Sequence, residues 1–415
     1  MKIVAATKKH FEPLIIQTSV VHRTILIARR SGTPLEFTQT DLQHKLVAEF
    51  AEFSKAELDF DVEQCDESCR FPLEQWQACA NYGVFRWVLP KSMGGENHSI
   101  TTTTCLLEAL GYNCADNGFA FSVAAQIWAV QKTLLQFATQ EQLDRYVSPQ
   151  KEGAAKGCFA ITEAGSGSDA FALETTAVRD GDHYILNGEK KMVTMAPCAD
   201  FAIVFAQTDA AKGQWGLSAF LVDLESPGVQ RHTNDKKMGL RTVPFGRIGF
   251  NMCRVPSSSI LGKPGSGAAM FNYTQVWERS LVLAPQLGAM RRLLEQCVAF
   301  ANTRKRGGRP IGEHQSVSNR IANMSIRLDT SQLLVYKAAS LLEQKASCLR
   351  EAAVTKAYVS EAFVDTCKDA ISIHGGSGYM TETGIERNLR DAVAATIYGG
   401  TVDVQRNIIA RLHGL

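Results

Sequence analysis

Two textures of hydrophobic and polar positions alternate along the chain and divide it into three. From Phe37 to about Gln150, apolar residues recur every three or four positions, as in DLQHKLVAEFAEFSKAEL (41–58), which is the spacing of an amphipathic helix. Between about 156 and 262 the texture changes. TTAVRDGDHYILNGEKKMVTM, FAIVFAQ, SAFLVDL and GRIGFNMCRVP are rich in β-branched and aromatic residues bounded by Gly, Asp and Asn, which predicts a compact β domain. Helical spacing then returns in GSGAAMFNYTQVWERSLVLA, RRLLEQCVAFANTR, QSVSNRIANMSIRLDTSQLLVYKAASLLEQK and EAAVTKAYVSEAFVDTCKDAIS, long enough for the helices of a bundle. The expected plan is an extension over 1–34, disordered, then a helical domain over 35–155, a β domain over 156–262 and a helical bundle over 263–415.

At 415 residues the chain exceeds the usual size of a single core, in keeping with several domains. Its longest apolar stretch, FAFSVAAQIWAV (119–130), is broken by Ser122 and Gln126 and is shorter than the roughly 20 residues of a membrane span, so no transmembrane helix is expected. The formal charge of +2 conceals an asymmetry: residues 1–34 hold six of the 44 basic residues but only Glu12 of the 42 acidic ones. The remainder is slightly acidic, which excludes a body that binds nucleic acid through a basic face. The extension is acid-poor and contains arginine, a faint transit-peptide signature, but it is not Ser-rich. Eleven cysteines are scattered from Cys65 to Cys367 with no CxxC pair and no His cluster at zinc spacing. They read as reduced thiols of a cytoplasmic protein, and no metal site is expected.

Three motifs sit at the joints of this plan. AITEAGSGSDA (160–170) has small residues after Glu163 that let backbone N–H groups approach and cradle an anion. TRKRGGRPIGEHQ (303–315) is basic enough to hold phosphates, although such a run is also what a solvated helix end looks like. IHGGSGYMTETGIERNLRDA, followed by TIYGGTVDVQRNIIAR (373–411), pairs glycines that close a helix and precede a polar loop.

In that order the motifs resemble those of the acyl-CoA dehydrogenase superfamily of flavoproteins, over about residues 37–415. ITEAGSGSD matches one signature, with Ala164 where proline is commoner, and GGSGY with ERNLRDA matches the other, with Ser372 where glutamine is commoner. The resemblance implies an all-α N-terminal domain, a central β-barrel and a C-terminal four-helix bundle, usually in a homotetramer, with FAD between barrel and bundle and partly held by a neighbouring subunit. Carried over by position, it implies that Thr162, Gly167, Ser168 and Thr194 meet the flavin or the thioester tail. Arg304 and Gln315 would reach the FAD pyrophosphate and adenosine across a subunit interface, where the forked donors of arginine suit the task. Gly375 and Gly376 would admit the neighbouring flavin, and Thr401 with Asp403 would cap it again. Ser168, Arg279, Tyr398 and Gly400 are expected to contact substrate. Met192 and Gly307 stand where aromatic residues are common, which bears on the flavin cover and the partner interface.

The resemblance also implies a base that removes the α-proton of a thioester while a β-hydride passes to flavin N5. Its common place, the glutamate of a YEGT motif, is Gly399 here. A minority of the family, including isovaleryl-CoA dehydrogenases, carries the base early in the helix containing ER, and Glu278 falls on that position. A carboxyl in the apolar run VWERSLVLA is hard to ionise, which moves it toward the acidity of a general base, while Arg279 limits the shift. On its residues alone the pair reads first as a buried structural bridge, and Gly399 is what turns the reading toward a base. Pro285, if inside the same helix, would kink it.

WERSLVLAPQLGAMRRLLEQC, RPIGEHQSVSNRIANMSIRL and TIYGGTVDVQ look most like the flavoproteins that oxidise prolyl groups on peptidyl carrier proteins in pyrrole-antibiotic and anatoxin-type pathways. That likeness implies a phosphopantetheine-linked L-prolyl substrate and, as electron acceptor, oxygen or an electron-transferring flavoprotein. The alternatives are an isovaleryl-type acyl-CoA dehydrogenase and a flavin-binding protein without dehydrogenase activity.

Overall fold

Helix α1 (Asp41–Glu57) begins where the sequence supplies a reciprocal cap: the Thr40 side chain accepts from Gln43 N, and the Gln43 side chain accepts from Thr40 N. The computed structural model describes residues 39–232 and 235–415, so the expected 1–34 extension lies outside the described residues. Helices α2 (Val62–Glu67), α3 (Leu73–Tyr82), α4 (Ile100–Asn113), α5 (Asn117–Ala125), α6 (Lys132–Phe137) and α7 (Gln140–Tyr146) complete the first helical region. A π-helical stretch, Gln126–Gln131, joins α5 to α6. Its Trp128 is fully buried and stacks on Trp277, with ring centroids 5.4 Å apart.

Eight strands follow: β1 (Gly157–Ala160), β2 (Thr176–Asp180), β3 (His183–Thr194), β4 (Phe201–Gln207), β5 (Leu217–Asp223), β6 (Val229–Arg231), β7 (Phe245–Pro256) and β8 (Ile260–Leu261). They form one sheet in the order β6-β7-β3-β2-β4-β5-β8, with β1 parallel to β4. The antiparallel β3–β7 ladder slips register between Lys190 and Val193, where β3 carries an extra residue. Met192 lies in that bulge with φ +55° and projects outward, 63% exposed.

The last region holds α8 (Gly267–Ser280), α9 (Ala284–Thr303), a short hairpin of β9 (Lys305–Arg306) and β10 (Arg309–Pro310), α10 (Gln315–Glu343), α11 (Leu349–His374), α12 (Gly376–Tyr379), α13 (Ile385–Ala395) and α14 (Val402–Leu412). Pro285 does not kink a continuous helix. A 3-10 turn over Leu281–Leu283 ends α8, and Pro285 falls in the first turn of α9, where a missing N–H costs nothing. Gly307 and Gly308 form the two-residue hairpin turn with φ of +60° and +83°, a conformation that strongly favours glycine at both positions. The run RGGR is therefore a hairpin, not a helix end.

Helices α4 and α9 cross almost backbone to backbone. A Cβ at Gly111 would lie 1.8 Å from Pro285 O, and one at Gly288 would lie 2.1 Å from Glu108 O. Beside this crossing the buried Glu108 carboxylate accepts from Arg291 (2.6 Å), Gln332 (2.7 Å) and the Tyr336 hydroxyl (2.7 Å), which fastens α4 to α9 and α10. No helix among the described residues is long and apolar enough to cross a membrane.

Candidate active site

The last turn of α8 carries Glu278 and Arg279. Glu278 is half-buried, and its Oε2 accepts from Gln275 Nε2 one turn earlier. Burial pushes its carboxyl up to about 7, against the opposing pull of Arg279, the Gln275 bond and Lys356. Arg279 is buried, with Nε donating to Gly399 O at 3.0 Å. Gln405 Nε2 also donates to Gly399 O (3.1 Å) and to Gly400 O (2.9 Å). Both glycines have positive φ, +64° and +88°, which explains the residue type in this tight turn.

A Cβ at Gly399 would meet Lys356 Cε at 3.6 Å and Arg279 Cγ at 4.0 Å. The usual place of the family base thus opens on Lys356 and on Arg279, the chain neighbour of Glu278. Lys356, from α11, is fully buried, donates to Ala395 O at the end of α13, and stands 4.8 Å over the Tyr398 ring. The Tyr398 hydroxyl accepts from Gln286 Nε2 (3.0 Å), and Phe121 packs on its ring at 4.7 Å. Beyond Tyr398 the remaining cavity is only about 20 Å³, lined by Phe121, Val282 and Gln286 among others, which is room for about one water. A roomier cleft of about 430 Å³ lies between α7 and β8 and does not include Glu278.

The loop after β1 is anchored by a buried ion pair. Lys190 Nζ sits 2.6 Å from Glu163 Oε1 and also donates to Ile161 O (3.2 Å), while Glu163 accepts from the backbone of Glu174 (2.6 Å) and Thr175 (3.1 Å). Lys191 N donates to Thr162 O at 2.8 Å, which sets Thr162 against β3, the strand that ends at Thr194. Beyond the anchor, Gly167 and Ser168 are exposed. Phe171, just past the loop, packs on Phe271 of α8 at 5.5 Å, about two turns before Glu278.

Arg304, Gln315, Gly375 and Gly376 gather elsewhere, at the far end of the bundle. Arg304 caps the C-terminus of α9, Gln315 opens α10, and the glycines follow α11; a Phe300–His374 stack at 4.3 Å joins α9 to α11 there. Lys356 and His374 are 18 residues apart on α11, about 27 Å of helix. Thr401, two residues after Gly399, is the N-cap of α14, its side chain accepting from Val404 N, and Asp403 is exposed and pairs with Arg406 at 3.2 Å.

All three domain families of the acyl-CoA dehydrogenases match: N-terminal over 40–154, middle over 158–253 and C-terminal over 265–413. The chain belongs to the acyl-CoA dehydrogenase family. It is therefore a FAD-dependent oxidoreductase acting on the CH–CH bond of a thioester. Among its relatives is the caffeyl-CoA reductase-Etf complex subunit CarC of Acetobacterium woodii, 36% identical over 89% of this chain and 97% of that one. The L-prolyl-[peptidyl-carrier protein] dehydrogenase of Pseudomonas fluorescens is 35% identical over 91% and 99%. Two solved structures share the fold. The prolyl acyl carrier protein oxidase AnaB has TM-score 0.90 and 39% identity over 91% of this chain and 100% of its own, and PigA with FAD and proline has TM-score 0.89 and 33% identity over 92% and 99%.

As a member of the family, the chain has residues that fit FAD on two observations. A Cβ added at Gly167, Gly375 or Gly376 would meet nothing within 4 Å, so each backbone lies open to close approach. Arg304 is exposed at the C-terminal end of α9, where its guanidinium is accessible to a phosphate.

Lys356, Gln405 and Lys190 were missed in the sequence. Lys356 had a signal: it shares a helix face with Ala352, Val359, Ser360 and Phe363, all buried, and a lysine inside an apolar stripe is unusual.

Proposed function

We propose that this enzyme oxidises an L-prolyl thioester carried on the phosphopantetheine of a peptidyl carrier protein, with Glu278 as the base that takes the α-proton. The observation that carries the base assignment is the Arg279–Gly399 bond, because it joins Glu278 to the turn from which the family's usual carboxylate is missing. Substrate class is supported by the prolyl-specific proteins among its relatives and structural neighbours.

FAD, when bound, supplies the hydride acceptor. The chain's own part is to hold the α-carbon against Glu278, whose carboxyl lies near neutrality and so exists partly as carboxylate at pH 7. The α C–H bond breaks, its proton goes to Glu278, and the electron pair passes into the new double bond as hydride departs from the β-carbon. Arg279, Tyr398 and Gly400 would shape the floor of the acyl site, with Ser168 on the thioester side. Thr162, Gly167, Ser168, Thr194, Thr401 and Asp403 are proposed as FAD contacts. So are Arg304, Gln315, Gly375 and Gly376, of which the two glycines follow the end of α11 about 27 Å along it from Lys356; all four would serve the flavin of a neighbouring copy in a homotetramer. The domain division at about 155 and 262 belongs to the same proposal. So does a cytoplasmic setting, supported by eleven free cysteines, and an acceptor that is oxygen or an electron-transferring flavoprotein.

An isovaleryl-type acyl-CoA dehydrogenase is the second reading, favoured by CoA-dependent relatives of similar identity. Anaerobic mixing separates the two. Bleaching of the flavin by L-prolyl carrier protein but not by isovaleryl-CoA supports the first, and the reverse pattern supports the second.

A further inference from the structure

Lys356 is a charged side chain with no exposure, on a helix face otherwise made of the uncharged, buried Ala352, Val359, Ser360 and Phe363. Lysines near a helix end ordinarily run their stems along the surface and leave the ammonium in water. This one is drawn inward. Its hydrogen bond to Ala395 O finishes α13, a task that a neutral amide could perform, so the carbonyl alone does not account for a buried positive charge. On α8, which packs against α11, Arg279 and Glu278 are the charged groups that act on it among the described residues, and Glu278 is the one anion. From the loop after α13 it meets the face of Tyr398 at 4.8 Å. From α14 the nearest group is the neutral Gln405, which holds Gly399 and Gly400. Gly399 itself presents no side chain, and the position of its absent Cβ lies 3.6 Å from Lys356 Cε.

We propose that Lys356 is a positioning residue for the proton transfer: together with Arg279 it holds the Glu278 carboxylate ionised and ready for the α-proton. The proposal rests on Glu278 being the base. Its logic is electrostatic. Burial works against the carboxylate, and Arg279 from its own helix, the Gln275 hydrogen bond and Lys356 from α11 work in its favour. When the α-proton arrives, the carboxyl becomes neutral and the buried site gains one positive charge overall. Lys356 itself is driven toward the neutral amine by burial and by Arg279, so it can tolerate that change.

The test uses the FAD-loaded enzyme and single-turnover anaerobic flavin reduction by L-prolyl carrier protein and by isovaleryl-CoA, followed against pH. Lys356→Gln keeps a donor for Ala395 O but carries no charge, and Lys356→Met removes both, so at least one neutral form is expected to fold; Lys356→Arg keeps the charge. In either neutral variant the acidic limb should move up by about one pH unit, which makes the rate about fivefold lower at pH 7 and restores it near pH 9. Lys356→Arg should leave the limb close to wild type. A rate lowered equally at every pH, with the limb unmoved, would assign Lys356 to helix capping alone and overturn the proposal. Glu278→Gln separates the two layers. If that variant still shows the limb, the base assignment falls and the Lys356 role with it; if the limb disappears there but is unmoved by Lys356→Gln, only the Lys356 role falls.

Discussion

Arg279 Nε donates to the carbonyl of Gly399 at 3.0 Å, tying the end of the helix that carries Glu278 to a glycine turn 120 residues later. The absent side chain of Gly399 would point at Arg279 and Lys356, the cations that also favour the ionised form of Glu278. Two sequence positions therefore address one site. Gly399→Glu, introduced into Glu278→Ala, should raise flavin reduction about tenfold or more over Glu278→Ala alone. Recovery should stay incomplete, because φ at 399 is +64° and costs a residue with a Cβ about 1–2 kcal/mol. Stopped-flow bleaching measures the gain, and its absence would mean that the two positions do not reach the same proton.

The pH dependence follows from the state of Glu278. Burial raises its carboxyl to about 7, and only the carboxylate can accept a proton. Below that value the rate of flavin reduction should fall about tenfold per pH unit, and above it the rate should level off. A single-turnover profile without a limb near neutrality would contradict this.

The pair Glu163–Lys190 anchors the loop that presents Gly167 and Ser168. Both side chains are buried, 5% and 0% exposed, so removing one partner leaves a charge without its counterpart. Lys190→Met should cost about 3–5 kcal/mol of stability and weaken FAD retention. Thermal unfolding and the flavin-to-protein absorbance ratio report the two effects separately. A loss of stability with FAD affinity intact would confine the pair to folding.

Gly375 and Gly376 follow the C-terminal end of α11, about 27 Å along the helix from Lys356 beside the Gly399 turn, a separation that predicts complementation between subunits. Chains bearing Arg304→Leu and chains bearing Glu278→Gln should each be impaired alone. Mixed by co-refolding or co-expression, they should recover activity, up to about a quarter of wild type if dimers form at random, because half the mixed sites receive both intact parts. No recovery in confirmed hybrids would place all these residues in one chain's site.

Much of this was legible in the sequence, for identifiable reasons. Period and turn chemistry gave the three regions, because helices with an apolar stripe and strands bounded by glycine keep those patterns regardless of tertiary context. The pairing of Gly399 with Glu278 was readable because each is a change of residue type at a position the family motifs fix. What failed was local. Pro285 was read as a kink because nothing in SLVLAPQL announces that α8 stops at Ser280 and a 3-10 turn intervenes. RGGR was left open between phosphate site and helix end, although two adjacent glycines with positive φ make a hairpin turn. Lys356 was passed over because its partners come from α8, α13 and the turn after α13, contacts that only the fold brings together.

The measurement that bears most directly on the account is anaerobic flavin bleaching by L-prolyl carrier protein in Glu278→Gln enzyme shown to retain FAD. Wild type should bleach rapidly, and the glutamine variant should be slower by a factor of about 10²–10⁴, the usual worth of a general base. Bleaching at an undiminished rate in that variant would mean that the α-proton goes elsewhere and that Glu278 and Arg279 form a structural pair.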